Sequence, residues 1–433
     1  MSPTFYPAAR HAFPEVLDLL RRFRRDQTGS YAIITALTMP ALLGLVGLGS
    51  EVGLWYYNHQ HLQSAADSGA ISAATTYSIQ GNSTGLTTQA QAATATYGFV
   101  AGANNVVVTL HQPPLSGSYT STTNAVEVIV SQPQTRLFSS LFSSSQLTIS
   151  ARAVAVGNGG LGCVLSLNTT ASGATVIKGT SAVNLSGCSL MDNSSNSSAL
   201  TLNGGGTLSA LSVNVVGNVS GTSNITNITT TLGINTGATP ASDPYADSSY
   251  PSFSGCDKHN FSSKKTETIN PGVYCGGMSL NAGANVTLNP GVYYLDQGSL
   301  SVNGGATLSG TGVTLVFTSS TGNNYATASV NGGATINLTP PTNGSTAGIV
   351  FFGDRNMPVG TGFSFEGGAS QVLGGALYLP SGAVSFAGGA DTTTACTQLV
   401  ADTITFSGNS NFAINCAGYG TKPIGSRLAK LVE

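Results

Sequence analysis

The stretch "NPGVYYLDQGSLSVNGGATLSGTGVTLVF", residues 289–317, decides the fold. It holds two phrases that recur. NPGVY stands at 270–274 and 289–293, and NGGAT at 303–307 and 331–335. Looser copies begin at 203 (NGGGT), 281 (NAGAN), 366 (EGGAS) and 387 (AGGAD). Most successive copies lie roughly 20 residues apart, with longer gaps at two places, and such a period of short strand-like segments is the signature of a solenoid. The flanking segments LSVN, VTLVF, ALYL and TITFSG are rich in strand formers, and no helical period falls between them. Each repeat therefore reads as one coil of parallel strands. Residues 158–418 are expected to form a right-handed parallel β-helix, in a repeat domain drawn at 157–420. Asn stacks on Asn from coil to coil, and glycine provides the positive φ of tight corners. Turn signals every 8 to 12 residues or about that also permit a β-sandwich, the alternative fold.

Composition agrees with a mainly β chain. Only 7% of the 433 residues are charged, against roughly 25% in an ordinary soluble protein, and Gly, Ser, Thr and Asn fill the gap. The clustered Lys and Arg of a nucleic-acid binder are lacking after residue 25, so no nucleic-acid partner is expected. The cysteines fit a coil register. In chain order Cys163 with Cys188, Cys256 with Cys275 and Cys396 with Cys416 are each about one repeat apart. Residues one coil apart lie about 4.8 Å from each other, within the roughly 4.4 to 6.8 Å that a disulfide bridges. An even count in an exported domain favours disulfides, and neither C-x-x-C nor paired-His spacing indicates zinc. No metal or cofactor is expected.

The other end of the chain sets its address. Between Asp26 and Glu51 there is no charged residue, and "YAIITALTMPALLGLVGLG" (31–49) has about the 20 residues needed to cross a bilayer. Pro40, Gly44, Gly47 and Gly49 are tolerated in such a helix. Arg21, Arg22, Arg24 and Arg25 precede it, and Trp55, Tyr56 and Tyr57 follow it as an interfacial aromatic belt. The positive-inside rule places a basic leader, 1–30, in the cytoplasm and everything after residue 58 outside. A cleaved signal peptide is the alternative, but no A-x-A site follows the apolar run. Helical propensity continues to about residue 76, giving a membrane helix with an amphipathic extension over 31–76. Within it Ala65, Gly69 and Ala73 recur every four residues, as do Ala66, Ala70 and Ala74, with Asp67 among them. Small residues at that spacing let helix backbones approach closely. A solvated Ala-rich helix is the plainer reading. Residues 77–156 carry alternating strands at 104–110, 124–132 and 145–156 and a short helix in "TRLFSSLF", together a small α+β, pilin-like domain. Residues 421–433 are a C-terminal tail.

The segment 26–75 resembles the N-terminal module of the TadE/TadG group of Flp pilus-assembly proteins. The matching residues are Gly29 before the apolar helix, the acid Glu51 near its end, and Leu62, Gln63, Ala65, Ala66 and Asp67 of an LQ-x-A-A-D block. The resemblance implies a bacterial Tad-system protein anchored in the inner membrane by a single pass, with a periplasmic C-terminal domain. Its partners would be other Tad pilus-assembly proteins, the inner membrane and cell-envelope components. TadE-type pseudopilins and pilins carry Glu five residues after the processed Gly; here that position is Ile34, which favours the TadG-like type with its leader retained.

Candidates for chemistry are few. Asp257, His259 and Lys264 share a polar segment between cysteines, and Asp354 adjoins Arg355; neither group supplies the clustered carboxylates of a polysaccharide-cleaving β-helix. Asp192 and Ser194 begin a D-x-S-x-S-like metal motif that ends in Asn196, without the alternating strands and helices that motif requires. The frequent N-x-S/T triplets reflect composition, and His59 and His61 sit beside the membrane exit as interfacial side chains. The chain is therefore expected to be a structural component and not an enzyme. The alternative is an envelope β-helix that binds or processes polysaccharide.

Overall fold

The computed structural model describes residues 29–157, 160–221, 225–366, 370–387, 390–413, 418–425 and 428–433. Residues 1–28 of the basic leader, Arg21, Arg22, Arg24 and Arg25 among them, lie outside these ranges, as does Cys416. A single helix, α1, runs Gly29–Gln80 straight through Pro40. A second, α2, spans Leu86–Thr96. Three antiparallel strands follow: β1 (Val107–His111), β2 (Ala125–Gln134) and β3 (Leu147–Gly157). The stretch read as a tail adds a fourth, Ala429–Leu431, against the end of β3. One face of this sheet holds α1 and α2. Val126, Val128, Val130, Ala151, Ala153 and Ala155 meet Leu62, Ala66, Ala70, Ala73 and Ala74 of α1 and Leu86 and Ala90 of α2.

The rest of the chain is a β-helix-like body of parallel coils. Each coil contributes three strands, for example Gly291–Asp296, Leu300–Val302 and Thr307–Gly310. The next coil adds Val313–Thr318, Ala328–Val330 and Thr335–Leu338 in parallel register on all three faces. That pairing excludes the β-sandwich, whose sheets are antiparallel. The repeated phrases do what their composition indicates. In the NGGAT-type corners Asn331 Nδ2 donates to Asn303 Oδ1 at 2.8 Å, and Gly283, Gly305 and Gly333 take φ of 83°, 78° and 80°. An L side chain resists that backbone, so the corner demands glycine.

Chain order and stacking order differ, which the repeats do not announce. The first coils, from Leu161–Ser166 to Ile234–Thr236, climb to one end of the stack. The chain then crosses to the opposite end and restarts at Lys258–Ser263. From there the coils return, and the last of them (390–406) pairs in parallel with the first, Leu399–Ala401 on Val164–Ser166 and Ile404–Phe406 on Thr175–Ile177. The body is thus two solenoid halves joined at a seam. An internal column of side chains runs through it without a break: Leu280, Val302, Val330, Phe365, Phe386, Phe406, Ile177 and Leu202 occupy successive registered positions. Phe365 and Phe386 stack at 4.8 Å, and Phe386 and Phe406 at 6.0 Å.

The crossing segment, 237–257, is a strap along the outside of one face. It covers a second registered column of Val273, Tyr294, Val316, Phe352, Tyr378, Val400, Leu165 and Met191, which spans both halves. Asn193 is held to Ala241 by two hydrogen bonds of 2.8 Å. Farther along, the Tyr245 hydroxyl donates to Gln398 Oε1 at 2.7 Å, Tyr250 packs edge-on against Phe352, and Phe253 stacks on Tyr294.

Candidate functional site

Of the chemistry-bearing side chains singled out above, Asp257, Asp354 and Arg355 are spent on the fold. Asp354 accepts hydrogen bonds from the Thr318 and Tyr250 hydroxyls at 2.6 and 2.8 Å. Arg355 donates to the Ser248 and Tyr245 carbonyls and to the Tyr378 hydroxyl. The pair therefore clamps the strap. Asp257 accepts the Val273 N–H at 2.8 Å, and Lys264 is exposed. Cys256, His259 and Cys275 bring ligand-type atoms within 4.8 Å of one another. Cys256 and Cys275 are joined as a disulfide, as are Cys163 and Cys188, so in this trio only the imidazole has a lone pair suited to a metal. The Cα separations, 5.9 and 5.7 Å, are those of neighbouring coils. The third expected pair cannot be placed, since Cys416 is outside the described residues while Cys396 is buried in the body.

Asp192 is buried, with its Oδ1 accepting the Ser194 N–H at 2.9 Å in a local turn. Burial pushes its carboxyl up to about 6, opposed by the N–H of Ser194 and by Thr175. A carboxyl enclosed in a coil, with Ser194 bonded to the Ala171 carbonyl, is a structural turn and not an open metal motif. His61 lies against the Tyr57 ring at 4.4 Å beside the exposed end of the apolar helix.

What remains is α1 itself, which changes character along its length. From Ile33 to Tyr57 most of its large apolar side chains are exposed, among them Leu37, Leu45 and Val46 at 73%, 68% and 69%. This part is long and apolar enough to cross a membrane. From Leu62 onward the same helix is packed. Ala65, Ala66, Ala70, Ala73 and Ala74 are fully buried. A Cβ on Gly69 would lie 3.1 Å from Thr94 of α2 and 3.2 Å from Val128 of β2. The small-residue face thus meets the sheet and α2 of its own chain. Asp67 lies on its border and accepts a hydrogen bond from Gln63, which also donates to the Arg152 carbonyl of β3. The LQ-x-A-A-D block therefore docks the helix onto the sheet: Leu62 and the alanines give close contact, Gln63 and Asp67 the polar border.

Residues 29–76 match the family model described as "Putative Flp pilus-assembly TadE/G-like". The chain carries a TadE/G-like module. Its matched stretch is α1 nearly entire, membrane-type half and docking half together. That module associates the chain with Tad/Flp pilus assembly, and its exposed apolar helix fits a membrane-anchored protein. No curated protein and no solved structure matches the chain.

Within the exposed part of the TadE/G-like helix, about two turns before its end at Tyr57, stands Glu51, 2% exposed. Its carboxylate accepts the Leu137 and Ser139 N–H groups, each at 2.7 Å, and the Ser139 hydroxyl at 2.9 Å. These donors open the short 3₁₀ turn Ser139–Leu141, the helical piece expected in TRLFSSLF. Sequence alone marks Glu51 as the acid at the end of the span. That it caps a turn 86 residues away follows from the return of β2 alongside α1, which composition does not reveal.

Proposed function

We propose that this chain is a single-pass inner-membrane component of a bacterial Tad/Flp pilus-assembly machinery, with its β-helix-like body on the periplasmic side. Its work is scaffolding: α1 anchors, the small α+β domain fixes α1 at the membrane exit, and the coiled body offers surface to pilus or envelope components. It acts without catalysis and without a cofactor. One observation carries this reading. The TadE/G-like match coincides with a helix whose first half leaves most of its large apolar side chains exposed and whose second half is a docking face.

The test is a deletion strain complemented in parallel. The wild-type chain and the Asp257→Ala and His259→Ala variants are expected to restore piliation. A chain lacking the apolar half of α1 is expected to accumulate without restoring it. Alkaline phosphatase fused after residue 433 is expected to be active. Normal piliation in the deletion strain, with altered envelope polysaccharide, would replace this reading with the glycan-directed one.

A further inference from the structure

The turn that Glu51 holds presents an apolar surface toward the membrane-type half of α1. Leu137, Phe138, Leu141 and Phe142 are 58%, 44%, 81% and 79% exposed. Elsewhere in the small domain exposed large apolar side chains such as Val107 and Leu115 stand apart from one another; here four fall within six positions. Their place along α1 is fixed by contact. A Cβ on Gly47 would sit 2.6 Å from the Phe138 ring, so glycine lets Phe138 lie against the helix inside its apolar half. The last polar tether between α1 and β2 is Asn58 to Gln134, at 2.7 Å. At a rise of about 1.5 Å per residue, Gly47 lies roughly 16 Å beyond that tether, toward the span. Trp55, Tyr56 and Tyr57, the residues suited to a headgroup belt, fall between the two levels. The turn therefore projects past the belt, on the same side as the exposed leucines of α1.

We infer that residues 136–142 form a second, non-spanning membrane contact, a wedge that enters the outer leaflet of the same bilayer that α1 crosses. Its occupant is lipid. The patch is continuous with the exposed span through the Phe138–Gly47 contact, and a bilayer around α1 necessarily meets whatever projects from it at that height. Leu141 and Phe142 enter the acyl boundary, and Arg136 stands at the edge of the turn where a lipid phosphate can reach it. The Glu51 carboxylate keeps its three donors at this depth, which is what a buried charge beside lipid requires. With two contacts, the coiled body is held at a fixed tilt to the membrane instead of swinging on one helix.

This rests on the membrane-anchored reading, and the experiment separates the two. Trp55 is the only tryptophan, so a Trp55→Phe background permits single reporters. Leu43→Trp (span), Leu141→Trp and Phe142→Trp (turn) and Val359→Trp (an exposed loop of the coiled body) are each placed in the full-length chain. The proteins are reconstituted into phosphatidylcholine–phosphatidylglycerol vesicles whose acyl chains are brominated near the carbonyl end. Loss of emission is expected at positions 43, 141 and 142, with emission kept at 359. Quenching at 43 but at neither 141 nor 142 overturns the wedge and leaves the anchor. Absence of quenching at 43 and at the turn overturns both. Equal quenching at 359 also overturns the wedge, because the whole body would then lie on the bilayer.

Discussion

Asp192 shows how much one enclosed carboxyl can cost. Its native value of about 6 exceeds that of an ordinary aspartate, so the folded chain holds a proton that the unfolded chain releases. Below about pH 4 both states are protonated and the group contributes nothing. As pH rises from there to about 6 stability falls, and above that the penalty, at about 1.4 kcal/mol per pH unit, reaches roughly 3 kcal/mol. Asp192→Asn keeps an acceptor for the Ser194 N–H and removes the charge. It is expected to flatten the stability profile between these values and to gain up to about 3 kcal/mol at neutral pH, read by urea unfolding at two pH values. Glu127 has the opposite sign. Burial works against its charge, but Arg152, the Leu115 N–H and His111 outweigh that and hold the carboxyl below its usual range. Its contribution is complete above the ordinary glutamate range and is lost as pH falls through the lowered native value. Arg152 also bonds Glu433, tying the last strand to the sheet. Arg152→Ala is expected to cost about 3 kcal/mol at neutral pH, since Glu127 is left buried without its cation, and to make the acid limb of the stability profile shallower, since the Glu127 carboxyl is no longer held down by the guanidinium.

At the scale of elements, α1 and the strap make different demands. The docking half of α1 has no room for bulk: Ala66 and Ala70 are fully buried against the sheet and α2. Ala66→Leu or Ala70→Leu is expected to destabilise the small domain by about 1 to 3 kcal/mol, measured as a lowered unfolding midpoint, while membrane insertion is unchanged. The strap has little regular structure of its own and depends on what grips it. Arg355 contributes two carbonyl contacts there and lies over the Phe352 and Tyr378 rings at 5.6 and 5.2 Å. Its removal is expected to cost roughly 1 to 3 kcal/mol and to make residues 237–257 the first site of limited proteolysis.

The seam governs the molecule as a whole. In an ordinary solenoid each repeat touches only its neighbours in sequence, and an end can fray alone. Here the final coils stack on the first, and the strap lies across both halves, so neither half has its native neighbour until the other is in place. Phe406 sits at this junction in register with Ile177. Phe406→Ala is expected to cost about 3 to 5 kcal/mol and to weaken both halves together, seen as one lowered transition by hydrogen exchange in peptides from each. Two transitions would mean that the halves fold independently. Non-reduced peptide maps are expected to contain the Cys163–Cys188 and Cys256–Cys275 links, one in each half.

The sequence by itself determined the local rules. Recurrent Asn-Gly corners with strand-like segments between them specify parallel coils, because corner backbone and coil-to-coil stacking are set within one period. The uncharged run 31–49 and the small residues after it specify a helix that changes from lipid-suited to packing-suited, and that pattern carries the TadE/G-like likeness as well. Only the tertiary structure decided which coil lies next to which. Every coil end presents the same kind of apolar edge, so periodicity cannot say that 390–406 joins 161–177. One clue was present: "VTLVFT" and "IVFFG" are apolar on both faces, the mark of strands covered on both sides, yet nothing local names the strap as the cover. Glu51 follows the same logic. Its type and place are written in the chain, but its donors lie on a turn that only the return of β2 along α1 brings within reach.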